Sequence, residues 1–221
     1  LKSMRLRVVR LTLTGHDGDI EQLRDVNREV WLNDMRCATM FAVAQTRVES
    51  LPLYFVGVSL GALLNVDFIN DASAPFFSKR VLLAPALRLR WYTHLLRGLN
   101  GLPFSVDVPS RSPINYRVHN NLPLPAYNAL FESVAAVTRI SAVNLSIPTL
   151  IFLSPDDELV SYRDIATLIE QHPDAAWTLR PLDNQTSQVA PRYSHNIVDP
   201  EAMGAAPWED FTRETRQFLG G

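Results

Sequence analysis

Apolar residues fall along this chain in two alternating rhythms. Short β-type runs recur at Leu53–Val56, Val81–Leu83, Ile147–Leu153 and Trp177–Leu182. Runs of this length, rich in Val, Ile, Leu and Phe and bounded by turn residues, predict buried strands. Between them lie stretches of helical period. From Val30 to Val48, Trp31, Met35, Ala38 and Ala42 are spaced by 4, 3 and 4, an apolar stripe for docking on a sheet. A closing helix is expected from Trp208 to Leu219. Strands alternating with helices predict an α/β class with a mostly parallel sheet covered on both faces.

The rhythm breaks between about Ala86 and Ile140. Leu87, Trp91, Leu95 and Leu99 keep helical spacing, and a Pro-rich part follows with Pro103, Pro109, Pro113, Pro123 and Pro125. A second helical pattern runs from Ala126 to Arg139. The expected organisation is therefore a core over residues 1–85, an insertion over 86–140 and a second core part over 141–221. Arg88, Arg90, Arg97, Arg111 and Arg117 tint the insertion basic; a solvated charged face explains them more simply than an acidic ligand does.

One of the strands carries the chemistry. Leu53-Tyr54-Phe55-Val56 runs into Gly57-Val58-Ser59-Leu60-Gly61 and then into the helical Ala62-Leu63-Leu64-Asn65-Val66. A G-x-S-x-G turn between a strand and a helix is the setting of a nucleophilic serine. The corner strains the backbone of Ser59 and pushes its side chain out over the sheet edge. Gly57 and Gly61, without Cβ atoms, are expected to let two backbones pass closely. The new helix turns free N–H groups and its positive end toward a reacting oxygen. Without a base, this serine reads as a helix cap.

A base and an acid both follow. The run ending at Leu153 leads into Ser154-Pro155-Asp156-Asp157-Glu158-Leu159-Val160, which puts a carboxylate at the same sheet edge as Ser59. The residues alone leave the choice among three adjacent acids open. Of the five histidines, His195 comes after a further strand and just before the closing helix. His172, ahead of Pro173, reads as a helix cap, and His94 and His119 as surface or lid residues of the insertion.

Together these pieces resemble the α/β-hydrolase superfamily, in its branch of bacterial carboxylesterases and monoacylglycerol lipases. Arg5–Leu13 with Gly15-His16 resembles the fourth strand and its loop. Trp31-Leu32-Asn33-Asp34 resembles a W-x-x-D helix start, Gly57–Gly61 the nucleophile elbow, and Val81–Pro85 the sixth strand. Ser154–Val160 resembles G-x-x-D-x-x-V with Ser154 in place of the Gly. The resemblance puts the acid on Asp157 and the base on His195, and makes the insertion a lid between the sixth and seventh strands. It implies a serine hydrolase that cleaves carboxylic esters, with Ser59, Asp157 and His195 as triad and the backbone N–H of Leu60 in the oxyanion hole. Thioester or peptide hydrolysis, acyl transfer and a non-catalytic binding module are the alternatives.

The resemblance also implies a strand between the fourth and fifth, ending in the loop that gives the second oxyanion donor. Only 44 positions separate Gly15 from Ser59, room for one helix and one strand. The expectation is thus that this strand lies upstream of Leu1, the sequence being incomplete at its N-terminus. Its lack would leave unpaired backbone in mid-sheet.

Composition narrows the field. The chain has 221 residues, 47% hydrophobic, with a net charge of −2 and a pI near 6.2. That is enough for a sizeable core and gives no electrostatic case for nucleic acid. The single cysteine, Cys37, allows no internal disulfide and is expected to be a buried thiol. No Cys/His set suggests zinc. No cofactor or metal is expected, and no apolar run approaches a membrane span. The expected partner is a small-molecule ester with an apolar acyl group; the expected location is the cytoplasm.

Overall fold

The apolar runs pair side by side in parallel. The computed structural model describes residues 6–73, 75–101, 106–110, 112–182 and 193–220. Strands β1 (Tyr54–Val58), β2 (Lys79–Leu83), β5 (Thr149–Leu153) and β6 (Trp177–Pro181) form one sheet in the order β1-β2-β5-β6. Every pairing in it is parallel, with Val56 beside Val81 and Val81 beside Leu150. All five residues of β5 are buried, as a central parallel strand covered on both faces requires.

Two helical layers cover the sheet. Helix α3 (Ser59–Asn70) returns from β1 and packs on one face, backed by α2 (Arg28–Glu49) and α5 (Ala142–Ser146). Alternation along β1 turns Phe55 and Gly57 to that side, where Phe55 joins Trp31, Met35 and Leu64. Val56 and Val58 face the other way. There α8 (Ala205–Gly220) crosses, its Phe211 ring 5.0 Å from that of Phe152. Helix α6 (Tyr162–Glu170) links β5 to β6, and short helices α1 (Ile20–Arg24) and α7 (Pro200–Met203) flank the core.

At the N-terminal edge of the sheet sits a buried arginine with only neutral partners. Arg80 donates to Thr149 Oγ1, Asn65 Oδ1, Asn144 Oδ1 and Asn144 O, and lies over the Trp177 ring. Burial pushes its pKa down to about 9. It joins β2, β5, α3 and α5 at the end of the sheet away from Ser59.

Three expectations are corrected here. Leu6–Leu13 forms no strand and makes no pairing with Leu53–Val56; Leu11 and Leu13 pack onto the cluster around Trp31 instead. A strand exists only through a hydrogen-bonded neighbour, and β1, an end strand of the sheet, leaves Val56 and Val58 at 40% and 36% exposed. Arg5 lies outside the described residues. Cys37 is exposed, not buried: six positions beyond Trp31 it points away from the apolar stripe of α2. The first insertion helix, Trp91–Gly101, is a 3-10 helix. At three residues per turn, positions four apart diverge, and Trp91 and Leu95 are 76% and 66% exposed.

The rest of the insertion holds an antiparallel pair, β3 (Asp107–Pro109) with β4 (Asn121–Pro123), and helix α4 (Leu124–Ala136). Pro103 and Arg111 lie outside the described residues. Arg24 grips Asp107 through two bonds of 3.0 Å, the His119 ring meets Gly15 O at 3.1 Å, and Tyr116 donates to Asp199. The root of the insertion is bonded to the loop after β5: Ser161 N–H to Arg88 O and Arg90 N–H to Leu159 O, both at 2.8 Å.

Candidate active site

Ser59 stands at the corner where β1 becomes α3. Its φ is +47°, in the left-handed region that a serine rarely adopts. The surroundings hold it there: the carbonyl of Ser59 accepts the N–H of Ala86 at 3.3 Å. Gly57 is sterically required. A Cβ at that position would lie 2.5 Å from the Phe55 ring and 3.0 Å from the backbone N of Ala62. Gly61 is not: a Cβ there would meet nothing within 4 Å. The expectation of close backbone passage thus holds at Gly57 and is corrected at Gly61. Leu60, next in the chain, is in the first turn of α3, where N–H groups have no intrahelical acceptor.

The acidic loop sorts its three carboxylates by environment. Asp156 is exposed. Asp157 is fully buried, and its Oδ1 accepts the N–H groups of Leu159 at 2.8 Å and Val160 at 2.7 Å. Its Oδ2 lies 2.8 Å from His195 Nδ1. Glu158 is half-buried, and its two oxygens accept the N–H groups of Ser194 at 2.8 Å and His195 at 3.0 Å. Of the two acids not chosen, only Asp156 is solvated; Glu158 is bonded to the histidine loop. Ser154, at the position where the resembled motif has Gly, keeps a negative φ, so no glycine is needed. Its Oγ accepts the N–H of Asp156.

His195 lies between the two. Because Asp157 Oδ2 accepts, Nδ1 of the ring carries the proton. Nε2 is then free to accept, and Ser59 Oγ lies 2.8 Å from it. The structure thus brings together Ser59, His195 and Asp157, three residues from three separate elements, in one hydrogen-bonded line. The other histidines sit elsewhere: His16 against Trp31, His94 against Phe131, His119 at Gly15, and His172 after α6. Burial, above all, holds His16 below its usual pKa, and nearby His119 adds to this.

Sequence reasoning missed the fastening of the acid loop. Arg90 Nε donates to Asp157 O at 2.6 Å, and the Tyr92 hydroxyl donates to Glu158 O. No local pattern links positions 90 and 92 to 157 and 158. Among the described residues, no group of three or more His, Cys, Asp or Glu side chains is placed to hold a metal ion, and no helix is long and apolar enough to cross a membrane.

This parallel sheet, with its strand–Ser–helix corner and the acid and histidine on loops beyond later strands, is the α/β-hydrolase fold. Solved structures agree. One of the metagenome-derived lipolytic enzymes LipS and LipT is 18% identical, with 95% of this chain and 80% of that chain covered and a TM-score of 0.65. A soluble variant of monoglyceride lipase from Saccharomyces cerevisiae, in complex with a substrate analog, is 12% identical over 89% of this chain and 71% of its own, also at 0.65. The monoacylglycerol lipase of Paleococcus ferrophilus is 17% identical over 88% and 75%, at 0.55. No family model matches the chain, and no curated protein does. At these identities the likeness establishes the fold.

Proposed function

We propose that the protein is a serine hydrolase that cleaves carboxylic esters through an acyl-enzyme intermediate. The observation that carries this reading is the unbroken line from Ser59 Oγ through the His195 ring to buried Asp157. Ser59 Oγ attacks the ester carbonyl and its proton passes to His195 Nε2. The carbon–oxygen bond to the alcohol breaks, and His195 returns the proton to the departing oxygen. Water, deprotonated by the same ring, then releases the acid and restores Ser59. Asp157 keeps the ring in the required tautomer and stabilises its cationic form. The N–H of Leu60 donates to the oxyanion, a contact typically worth ~2.7–4 kcal/mol.

The insertion over residues 86–140 is read as a lid that excludes water and shapes the acyl site. The lipolytic names of the proteins with the same fold support an ester with an apolar acyl group as substrate, on an analogy of fold only. The test is hydrolysis of a short p-nitrophenyl ester by the purified protein and by Ser59→Ala. Turnover by the parent and none by the folded variant is expected. Equal turnover by both would overturn the assignment.

A further inference from the structure

The proposed base is held at two levels, its ring and its main chain. Asp157 accepts from the imidazole, which fixes its rotation and tautomer. That bond says nothing of the backbone from which the ring hangs. His195 lies in a loop between β6 and α7, where two main-chain bonds among the described residues are local: Asn196 N–H to Tyr193 O and Ile197 N–H to His195 O. Neither ties the loop to the sheet. Glu158 does. Its carboxylate receives two successive backbone N–H groups, those of Ser194 and His195, one on each oxygen.

We propose that Glu158 is a positioning residue that sets the height of His195 over Ser59 by gripping the main chain beneath the imidazole. The inference rests on the serine hydrolase reading above. Glu158 touches no reacting atom; it acts through His195. Charge-assisted bonds from a carboxylate to N–H groups are shorter and stronger than neutral ones, and two on one carboxylate fix direction as well as distance. The grip is itself anchored. The carbonyl of Glu158 accepts the Tyr92 hydroxyl, and the carbonyl of Asp157 accepts Arg90 Nε. Adjacent residues of one fastened loop therefore hold the ring and the backbone of the same histidine. Released from Glu158, the His195 backbone can drift while the Asp157 bond follows it, and the 2.8 Å approach of Nε2 to Ser59 Oγ is what opens.

The effect belongs in the chemical step. A displacement of about 1 Å at a reacting group costs on the order of 100-fold in rate. Glu158→Ala is therefore expected to lower kcat on a p-nitrophenyl ester by roughly 10- to 100-fold, with KM within about twofold of the parent. Inactivation by a fluorophosphonate should slow in parallel. Glu158→Gln keeps one acceptor oxygen of matching length and should recover a good part of the loss. The second readout is the downfield proton-NMR signal of the His195 Nδ1–H, compared with Ser59→Ala as a folded reference. It should broaden or vanish in Glu158→Ala and persist in Glu158→Gln.

A folded Glu158→Ala protein with parental kcat and an unchanged imidazole signal would overturn the proposal and leave the serine hydrolase reading untouched. If Glu158→Ala does not fold, Glu158→Gln decides alone: some loss of kcat at constant KM supports the grip, and a parental kcat refutes it. An inactive parent protein would sink the serine hydrolase reading instead, and the imidazole signal would still report whether Glu158 positions His195.

Discussion

The serine and the histidine of the hydrogen-bonded line, its two proton-exchanging members, are held by different means. Ser59 is held by backbone geometry: a corner between β1 and α3, a φ of +47°, and a steric fit that only Gly57 allows. His195 is held by side chains reaching across the fold, Asp157 on its ring and Glu158 on its main chain. The serine end is local in sequence and the histidine end is not. It follows that the serine end should fail when volume or backbone is changed, and the histidine end when a carboxylate is removed.

The sharpest contrast lies within the acidic loop. Asp157→Asn leaves the shape intact but offers the His195 ring an amide, so kcat should fall by roughly 10⁴-fold. Asp156→Asn, on an exposed neighbour, should change it by less than about threefold. Equal losses would mean that burial and aim do not distinguish the two acids. The next largest effect concerns the elbow. Gly57→Ala forces a Cβ into the Phe55 ring and the backbone of Ala62, and should destabilise by about 1–3 kcal/mol in denaturant unfolding. Gly61→Ala meets open space inside a helix and should be neutral or stabilising by up to ~1 kcal/mol. If Gly61→Ala proved the worse of the two, the steric account of the elbow would be wrong.

The smallest effect is one of pH and lies away from both ends. Burial holds His16 below its usual 6.5, with His119 adding to this and Asp34 and Asp17 opposing. The unfolded chain therefore takes up the His16 proton at a higher pH than the folded one. Neutral His16 stabilises the fold fully above about 6.5, and that contribution is lost as pH falls through 6.5 toward its lower folded value. Thermal melts of His16→Asn should show a shallower decline over that range. A decline as steep as the parent's would remove His16 from the account.

What was legible in the sequence follows the same division. Gly57–Gly61 after an apolar run is a local pattern with a local cause, so both the strand–helix corner and Ser59 could be read directly. The four core strands were legible as short runs rich in apolar residues. Leu6–Leu13 misled because its residues suit a strand, but pairing is a property of the neighbour, and among the described residues it has none. Trp91 and Leu95 kept helical spacing without a core to dock on. The choice of Asp157 among three acids came from resemblance and not from physics. Glu158 stayed hidden because its partners lie 36 and 37 positions downstream and are backbone groups, which carry no residue signature.

The most direct test of the central claim is covalent. The purified protein, native and heat-denatured, would be treated with a fluorophosphonate probe and the modified peptide located by mass mapping. Ser59 activated by His195 predicts labelling at Ser59 alone, in the native sample alone. A well-folded sample that takes no label at Ser59, or one labelled equally after denaturation, would contradict the account.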